Sequence, residues 1–128
     1  MTPDKAIEIL KDQLLQAEDL TDLLTEPAHM HRFPEQPDGF YCRVLVRELS
    51  VGPEAPLHGR RKVILQTVAE VGGIEQPDRL LASVQEEVAA AITGYKMGDT
   101  KVSRFRYPSA PLYADDSYTT VQHFTVTI

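Results

Sequence analysis

The sequence predicts one α+β domain, in which two helices pack on a mainly antiparallel sheet of about four main strands. Its 128 residues are the length of one ordinary domain, and no linker or repeat divides them, so residues 1–128 are expected to form a single unit. Two segments carry apolar residues at helical spacing, and the segments rich in β-branched and aromatic residues are bounded by Gly and Pro. The predicted order, α-β-β-α-β-β, favours antiparallel hairpins with the helices on one side.

The first predicted element is a helix that begins at Thr2 and Pro3, since Thr caps helices and Pro suits the first helical position. Its apolar stripe comprises Ile7, Leu10, Leu14 and Ala17, widened by Leu15. A last turn or a second short helix is then expected at Leu20, Leu23 and Leu24. Three prolines at positions 27, 34 and 37 predict a loop that runs through Gly39.

The second predicted unit is a long β-hairpin made by Phe40–Val51 and Arg61–Val71. Alternation along its second strand places Val63, Leu65, Ala69 and Val71 on one face and Ile64 and Val68 on the other. A strand of the length of Phe40–Val51 spans roughly 40 Å, which is as long as a domain of this size is wide. We therefore expect the hairpin either to curl around the sheet or to project its tip, Gly52–Arg60, beyond the body, as an arm for a partner or as a flexible loop without one.

The second half of the chain predicts one helix and two further strands. The helix begins at Pro77 and ends at Gly94, since Pro is common at helix starts and Gly at helix ends. Its core stripe comprises Leu81, Val84, Val88 and Ile92. One strand is predicted at Lys101–Tyr107, with Ser103, Phe105 and Tyr107 on the face opposite Val102, Arg104 and Arg106. A Pro-rich acidic turn follows at Pro108–Asp116. The last strand, Ser117–Ile128, alternates Phe124, Val126 and Ile128 with Thr125 and Thr127.

The charge of the chain is negative overall but unevenly distributed. The net charge is −6, and residues 1–39 hold nine acids and three bases, whereas residues 40–72 hold five bases and three acids. An acidic chain binds phosphate backbones poorly, so no sequence-specific nucleic-acid partner is expected. The segregation favours head-to-tail contacts between copies, although an acidic helix face can also serve only to solvate the protein. No signal peptide and no membrane span are expected, because no apolar stretch approaches the ~18 residues that a span needs.

Candidate catalytic and metal-binding residues do not form a complete set. His29 and His31 alternate in a loop and could face one metal, but two ligands are too few, and no CxxC or HExxH pattern is present. Asp115 and Asp116 could bind a hard cation, although adjacent acids are also ordinary turn residues. Cys42 lies in a predicted strand, where the role of a small apolar residue is expected. The sequence therefore predicts no enzyme, no metal and no cofactor.

The layout resembles that of the tail-terminator proteins of long-tailed bacteriophages and prophages, which are single α+β domains of similar length. The resemblance rests on an opening helix at Asp4–Leu15 and a long hairpin made by Phe40–Val51 and Arg61–Val71. It also rests on a crossing helix at Pro77–Ile92 and an alternating terminal strand at Tyr118–Ile128. The Pro-rich stretch from Pro27 to Pro37 has no counterpart in that pattern.

The resemblance implies a non-enzymatic assembly factor. Such proteins form hexameric rings that cap the tail tube and face the head connector. The implied partners are other copies of the chain, the tail tube and head-completion proteins, and the implied location is the virion tail, with the host cytoplasm during assembly. Head-completion and other minor tail proteins share these traits. Two other classes stay open, namely a small cytosolic adaptor that binds a protein by strand addition and a small enzyme built around the loop His and Asp residues.

The predicted contact surface is the basic hairpin together with its tip. The residues assigned to it are Arg43, Arg47, Leu57, His58, Arg60, Arg61 and Lys62. Salt bridging or solubility is the other explanation for the short basic cluster at positions 60–62. Copies are expected to associate with the acidic first third of one chain against this hairpin of the next.

Overall fold

Helices and strands are mixed along the chain in a computed structural model that describes residues 1–49 and 61–128. The helices are α1 (Pro3–Gln16), α2 (Glu18–Thr21) and α3 (Asp78–Ile92). The strands are β1 (His29–Met30), β2 (Tyr41–Glu48), β3 (Lys62–Gly72), β4 (Lys96–Met97), β5 (Thr100–Lys101), β6 (Ser103–Arg106), β7 (Leu112–Ala114) and β8 (Ser117–Thr127). This combination of helices and strands in one small domain confirms the predicted α+β class.

The main sheet of the described residues has the strand order β1-β2-β3-β8-β6, and β7 also pairs with β8. All of these pairings are antiparallel except that of β1 with β2, which is parallel. The last strand of the chain therefore lies inside the sheet, with β3 on one side and β6 and β7 on the other. As a result, β1 and β6 lie at opposite edges, which separates the two surfaces described below.

The core lies between one face of this sheet and the helices α1 and α3. The predicted helical stripes are buried, with Ile7, Leu10 and Leu14 from α1 and Leu81, Val84, Val88 and Ile92 from α3. The predicted alternation of β3 is confirmed, because Val63, Leu65, Ala69 and Val71 belong to the core. Leu15 does not widen the stripe of α1, since its side chain points away from the core and is 40% exposed.

Two predicted segments differ from the structure in the second half of the chain. The strand expected at Lys101–Tyr107 is divided between β5 and β6, and the pairing of β6 with β8 shifts register between Arg104 and Arg106. Because one extra residue is accommodated there, the expected alternation of side chains does not hold. The Pro-rich turn contains the short strand β7, and only Asp115 and Asp116, both with positive φ, form the tight turn into β8.

A buried polar cluster lies inside the core, between α3 and the sheet. The Gln85 side chain donates to the carbonyl and hydroxyl oxygens of Thr120, each at 3.0 Å, and accepts from the Thr67 hydroxyl at 3.3 Å. Gln122 Nε2 donates to Gln85 Oε1 at 2.6 Å, and both glutamine side chains are fully buried. These bonds satisfy polar groups that would otherwise be costly to bury, so the cluster fixes how α3 sits on β3 and β8.

The end of β3 requires glycine for a packing reason. Gly72 pairs with Tyr41 across the sheet, and a Cβ at Gly72 would lie 2.2 Å from Tyr41 Cε1. The ring therefore occupies the space that a side chain would need. Gly73, with φ of +71°, lies against the backbone of Gly39, where a Cβ would be 2.5 Å from the carbonyl oxygen. These contacts hold the loop before β2 against the end of the sheet.

Candidate protein interaction surface

The predicted contact residue Arg43 is buried, so its assignment to the contact surface was wrong. Its Nε and Nη2 atoms each lie 2.8 Å from Glu70 Oε1, and its side chain is 4% exposed. Nη1 donates to the carbonyl oxygens of Pro34 and Glu35 at 3.2 and 3.3 Å. The physical reason is that the Pro-rich loop folds back over this face of β2, and the guanidinium group holds the loop there instead of meeting a partner.

The other predicted contact residues of the hairpin strands are exposed. Arg47 Nε donates to Gln66 Oε1 at 2.8 Å, and Arg61 Nη2 lies 3.4 Å from Glu48 Oε1. Lys62 begins β3 and points to solvent. The remaining assigned residues, Leu57, His58 and Arg60, lie outside the described residues, as does the predicted tip of the hairpin.

The most prominent exposed surface lies along the β6–β7 side of the sheet. Among the described residues, Phe105, Tyr107, Leu112 and Tyr113 are 46%, 76%, 66% and 57% exposed. We call these four residues, together with Arg104 and Arg106, the aromatic edge. Large contiguous exposed apolar groups mark interaction sites, and Tyr and Arg are enriched at the centres of protein interfaces.

The aromatic edge is exposed because of how the strands are placed. β6 and β7 both pair with the same side of β8, and Ser109 joins them by donating from its backbone N–H to the Val121 carbonyl at 2.9 Å. The Ser109 hydroxyl also accepts from the Val121 N–H at 3.1 Å. No other described strand pairs with β6 or β7, so they form an edge of the sheet, and every residue from Phe105 to Tyr113 is exposed.

The cations of the aromatic edge lie over its rings rather than beside carboxylates. Arg104 Cζ is 4.4 Å from the ring centroid of Tyr107, and Arg106 Cζ is 5.3 Å from that of Phe105. Lys62 Nζ is 5.9 Å from the same Phe105 ring. In the part of the chain that the structure describes, none of these three cations has a carboxylate within 4 Å. The edge therefore combines apolar area with positive charge that no carboxylate of residues 1–49 or 61–128 neutralises within 4 Å.

An acidic surface lies on the opposite side of the sheet. The segment that follows α2 runs along the free side of β2, where the Thr25 N–H donates to the Cys42 carbonyl at 2.9 Å and His29 pairs with Leu45. Asp22 precedes this segment and is exposed, and Glu26 lies within it and is half-buried.

We call the exposed or half-buried carboxylates on this side, Asp4, Asp22 and Glu26, the acidic flank. Asp4 and Glu26 have His31 and His29 as neighbours, whereas the described residues place no cation within 4 Å of the Asp22 carboxylate. The acidic flank thus retains negative charge that a positively charged partner surface can neutralise.

His123 lies behind the aromatic edge in a polar row on the sheet face that does not carry the helices. Its Nε2 is 3.1 Å from Gln66 Nε2, and it is paired in register with Arg106. Burial and then the neighbouring Arg106 charge lower the pKa of His123 below its usual value. The imidazole is therefore held in its neutral form over a wider pH range than a free histidine.

The residues considered for catalysis or metal binding are not brought together. The His29 ring contacts the Glu26 carboxylate, and His31 Nε2 lies 3.9 Å from Asp4 Oδ1. Asp115 and Asp116 form the turn at the other side of the sheet. Burial raises the pKa of the Cys42 thiol to about 11, so its thiolate is scarce at neutral pH. Within residues 1–49 and 61–128, no group of three or more potential ligands is close enough to hold a metal.

A shallow polar cleft of about 360 Å³ lies at the Gly73 end of the sheet. Gln36 spans it by donating to the Tyr41 hydroxyl at 2.8 Å and to the Asp115 carbonyl at 3.0 Å. Its acidic groups are Asp38 and Asp116, and Asp116 accepts from the Tyr113 hydroxyl. The cleft has no nucleophile or base in a catalytic arrangement, so it offers weaker grounds for a function than the two surfaces above.

The aromatic edge was not among the predicted contact residues, although the sequence carried a signal for it. The stretch from Arg104 to Tyr107 alternates arginine with aromatic residues, and Leu112 and Tyr113 lie within a turn rich in Pro and acids. Such a turn is too polar to bury large apolar side chains. Leu112 and Tyr113 within it could therefore have been recognised as exposed residues of an interaction surface.

Comparisons with known proteins support the fold and do not identify a family. No family model matches the chain, and no curated protein matches it significantly. A solved protein chain of similar fold aligns over 99% of this chain and 95% of its own length, with 19% identity and a TM-score of 0.61. No helix of the described residues is long and apolar enough to cross a membrane. What these comparisons show about the protein is that it shares its overall α+β fold with a solved structure.

Proposed function

We propose that the chain is a structural, ring-forming subunit of a long-tailed phage or prophage tail, similar to the tail terminators that cap the tail tube and contribute to the head–tail joint. The observation that carries this proposal is the placement of two different interaction surfaces at opposite sides of one sheet. The aromatic edge is formed by β6 and β7, and the acidic flank follows β1 and β2.

Two different surfaces on opposite sides of a subunit favour head-to-tail association. Contacts of this kind generate a ring when the rotation between successive copies closes, as the proposed role requires. The proposed ring is a hexamer, by the same resemblance, and its further partners are the tail tube and head-completion proteins. The proposed location is the virion tail, with the host cytoplasm during assembly.

The layout of the larger elements supports the resemblance. The order α1, β2, β3, α3, β6 and β8 matches an opening helix, a hairpin, a crossing helix and two closing strands. A non-enzymatic role is part of the proposal. It is supported by the separation of the histidines from Asp115 and Asp116 and by the burial of Cys42.

The adaptor that binds by strand addition is less well supported. That mode needs a regular, exposed strand edge whose backbone can pair with a peptide. β6 is four residues long and is interrupted by the register shift at Phe105, and Pro108 and Pro111 follow it. Bulges and prolines are devices that prevent pairing at sheet edges, so contacts at this edge are expected through side chains.

Measuring the mass of the purified chain in solution tests the proposal. Light scattering during gel filtration, over protein concentrations from micromolar to near millimolar, should show a species of roughly six times the mass of one chain. Electron microscopy of that species should show rings with a central opening. A chain that remains monomeric across the whole range, also when incubated with phage tail tubes, would contradict the proposal.

A further inference from the structure

We infer that the ring contact is made by the aromatic edge of one copy and the acidic flank of the next. This inference rests on the proposed function and specifies which surfaces meet. It replaces the predicted contact between the acidic first third of the chain and the basic hairpin. The reason is that Arg43 is buried and its positive charge is neutralised by the Glu70 carboxylate.

The position of the two surfaces makes this pairing geometrically suitable. β6 lies at one edge of the sheet and β1 at the other, so a copy that docks its β6 side on the β1 side of a neighbour leaves its own β1 side free. Each added copy therefore presents the same vacant surface as the last. A contact between two aromatic edges would instead be self-complementary and would stop at a dimer.

Charge complementarity identifies the acidic flank of a neighbouring copy as the surface that binds the aromatic edge. Among the described residues, Arg104, Arg106 and Lys62 have no carboxylate within 4 Å, and the Asp22 carboxylate has no cation within that distance. Like charges within each surface make contact between two identical surfaces unfavourable, whereas the two unlike surfaces attract. The first 39 residues supply this polarity, since they hold nine acids and three bases.

The apolar part of the aromatic edge provides the affinity that charge alone does not. Exposed ion pairs are worth little by themselves, but Tyr107 and Phe105 bring large, rigid rings on which the arginines already lie. Burial of these rings against a neighbour excludes water from the arginines and strengthens their attraction to carboxylates. Tyr107, which is 76% exposed, is expected to contribute most.

Reversing the charge of each surface tests the inference. The edge variant carries Arg104→Glu and Arg106→Glu, and the flank variant carries Asp4→Lys and Asp22→Lys. Each variant alone places like charges on both sides of the contact, so its association should weaken on the order of 100-fold. Mixing the two variants should restore assembly, because each contact then joins opposite charges, and native mass spectrometry should show alternating copies.

Matched controls separate this effect from a general change in charge or a loss of folding. Arg79→Glu with Lys96→Glu changes the net charge as the edge variant does, at exposed residues outside both surfaces, and should assemble like the unaltered chain. Glu75→Lys with Glu86→Lys is the control for the flank variant. Tyr107→Ser is a second edge variant that cannot affect the core and should also weaken assembly.

The outcomes distinguish this inference from the proposed function. If the unaltered chain forms rings and the edge, flank and Tyr107→Ser variants do so equally well, the inferred contact is wrong while the proposed function stands. Rings that are lost in both charge variants but not restored in the mixture would also overturn the pairing. If the unaltered chain does not associate at all, the proposed function itself fails.

Discussion

Replacing Arg43 by alanine should destabilise the fold rather than only weaken assembly. The guanidinium group is buried beside Glu70, donates to two carbonyl oxygens of the Pro-rich loop, and lies 4.4 Å from the Phe33 ring and 5.0 Å from the Tyr41 ring. Alanine would leave the Glu70 carboxylate, which is 14% exposed, without its cation. The Pro-rich loop would also lose the two hydrogen bonds that Arg43 donates to the carbonyl oxygens of Pro34 and Glu35.

The size of the effect follows from the cost of leaving one charge of a buried pair without its partner. Such losses are worth about 3–5 kcal/mol in the free energy of unfolding. For a domain of this length, that corresponds to a fall in melting temperature of about 10–20 °C. Removing both partners in the variant Arg43→Leu with Glu70→Leu should cost less than the sum of the two single replacements, because no buried charge is then left unpaired.

Urea denaturation and calorimetry of Arg43→Ala measure this directly. The control is Arg47→Ala, four residues further along β2, whose exposed side chain donates to Gln66 among the described residues and should cost under about 1 kcal/mol. If Arg43→Ala unfolds with the free energy of the unaltered chain, within about 0.5 kcal/mol, and still impairs association, the interpretation as a buried attachment is refuted. Arg43 would then belong to the contact surface.

Two further predictions concern the polar core and the pH response. Gln85→Leu should cost about 2–4 kcal/mol of unfolding free energy, because Gln122 and Thr120 lose their partner. The double variant Gln85→Leu with Gln122→Leu should cost less than the sum of the costs of the two single variants. Denaturation experiments in which the two single costs simply add would contradict this interpretation. The lowered pKa of His123 means that the unfolded chain binds its proton more readily than the folded chain below about pH 6.5. The free energy of unfolding should therefore fall on acidification from pH 7 to pH 5, and His123→Gln should make this dependence on pH less steep. An equally steep dependence in the unaltered chain and in His123→Gln would show that His123 does not contribute.

The elements with a clear periodic pattern were predictable because their spacing reflects local geometry. The stripes of α1 and α3 repeat every three or four residues, and the inward side chains of β3 repeat every second residue, and each pattern appears in the core as predicted. The bulge at Phe105 has no such pattern, since it depends on how β6 meets β8, and the predicted alternation failed there.

The candidate surface depended on contacts between distant parts of the chain. Arg43 and Glu70 are 27 residues apart, and nothing local to Arg43 indicates that a Pro-rich loop folds back to cover it. A charged residue on a strand was therefore assigned to the surface, as most charged residues are. Phe105 and Tyr107 were predicted only as strand residues, and nothing in their local pattern indicates that the structure leaves them exposed at an edge.

The sequence by itself determined the α+β class, the two main helices, the buried face of β3 and the concentration of acid in the first 39 residues. Those features depend on residue spacing and composition, which act within a few residues along the chain. Only the tertiary structure decided that β8 lies between β3 and the short strands β6 and β7, so that the aromatic edge and the acidic flank face opposite ways. Strand order is a property of long-range pairing, and which charges are neutralised or exposed follows from that order.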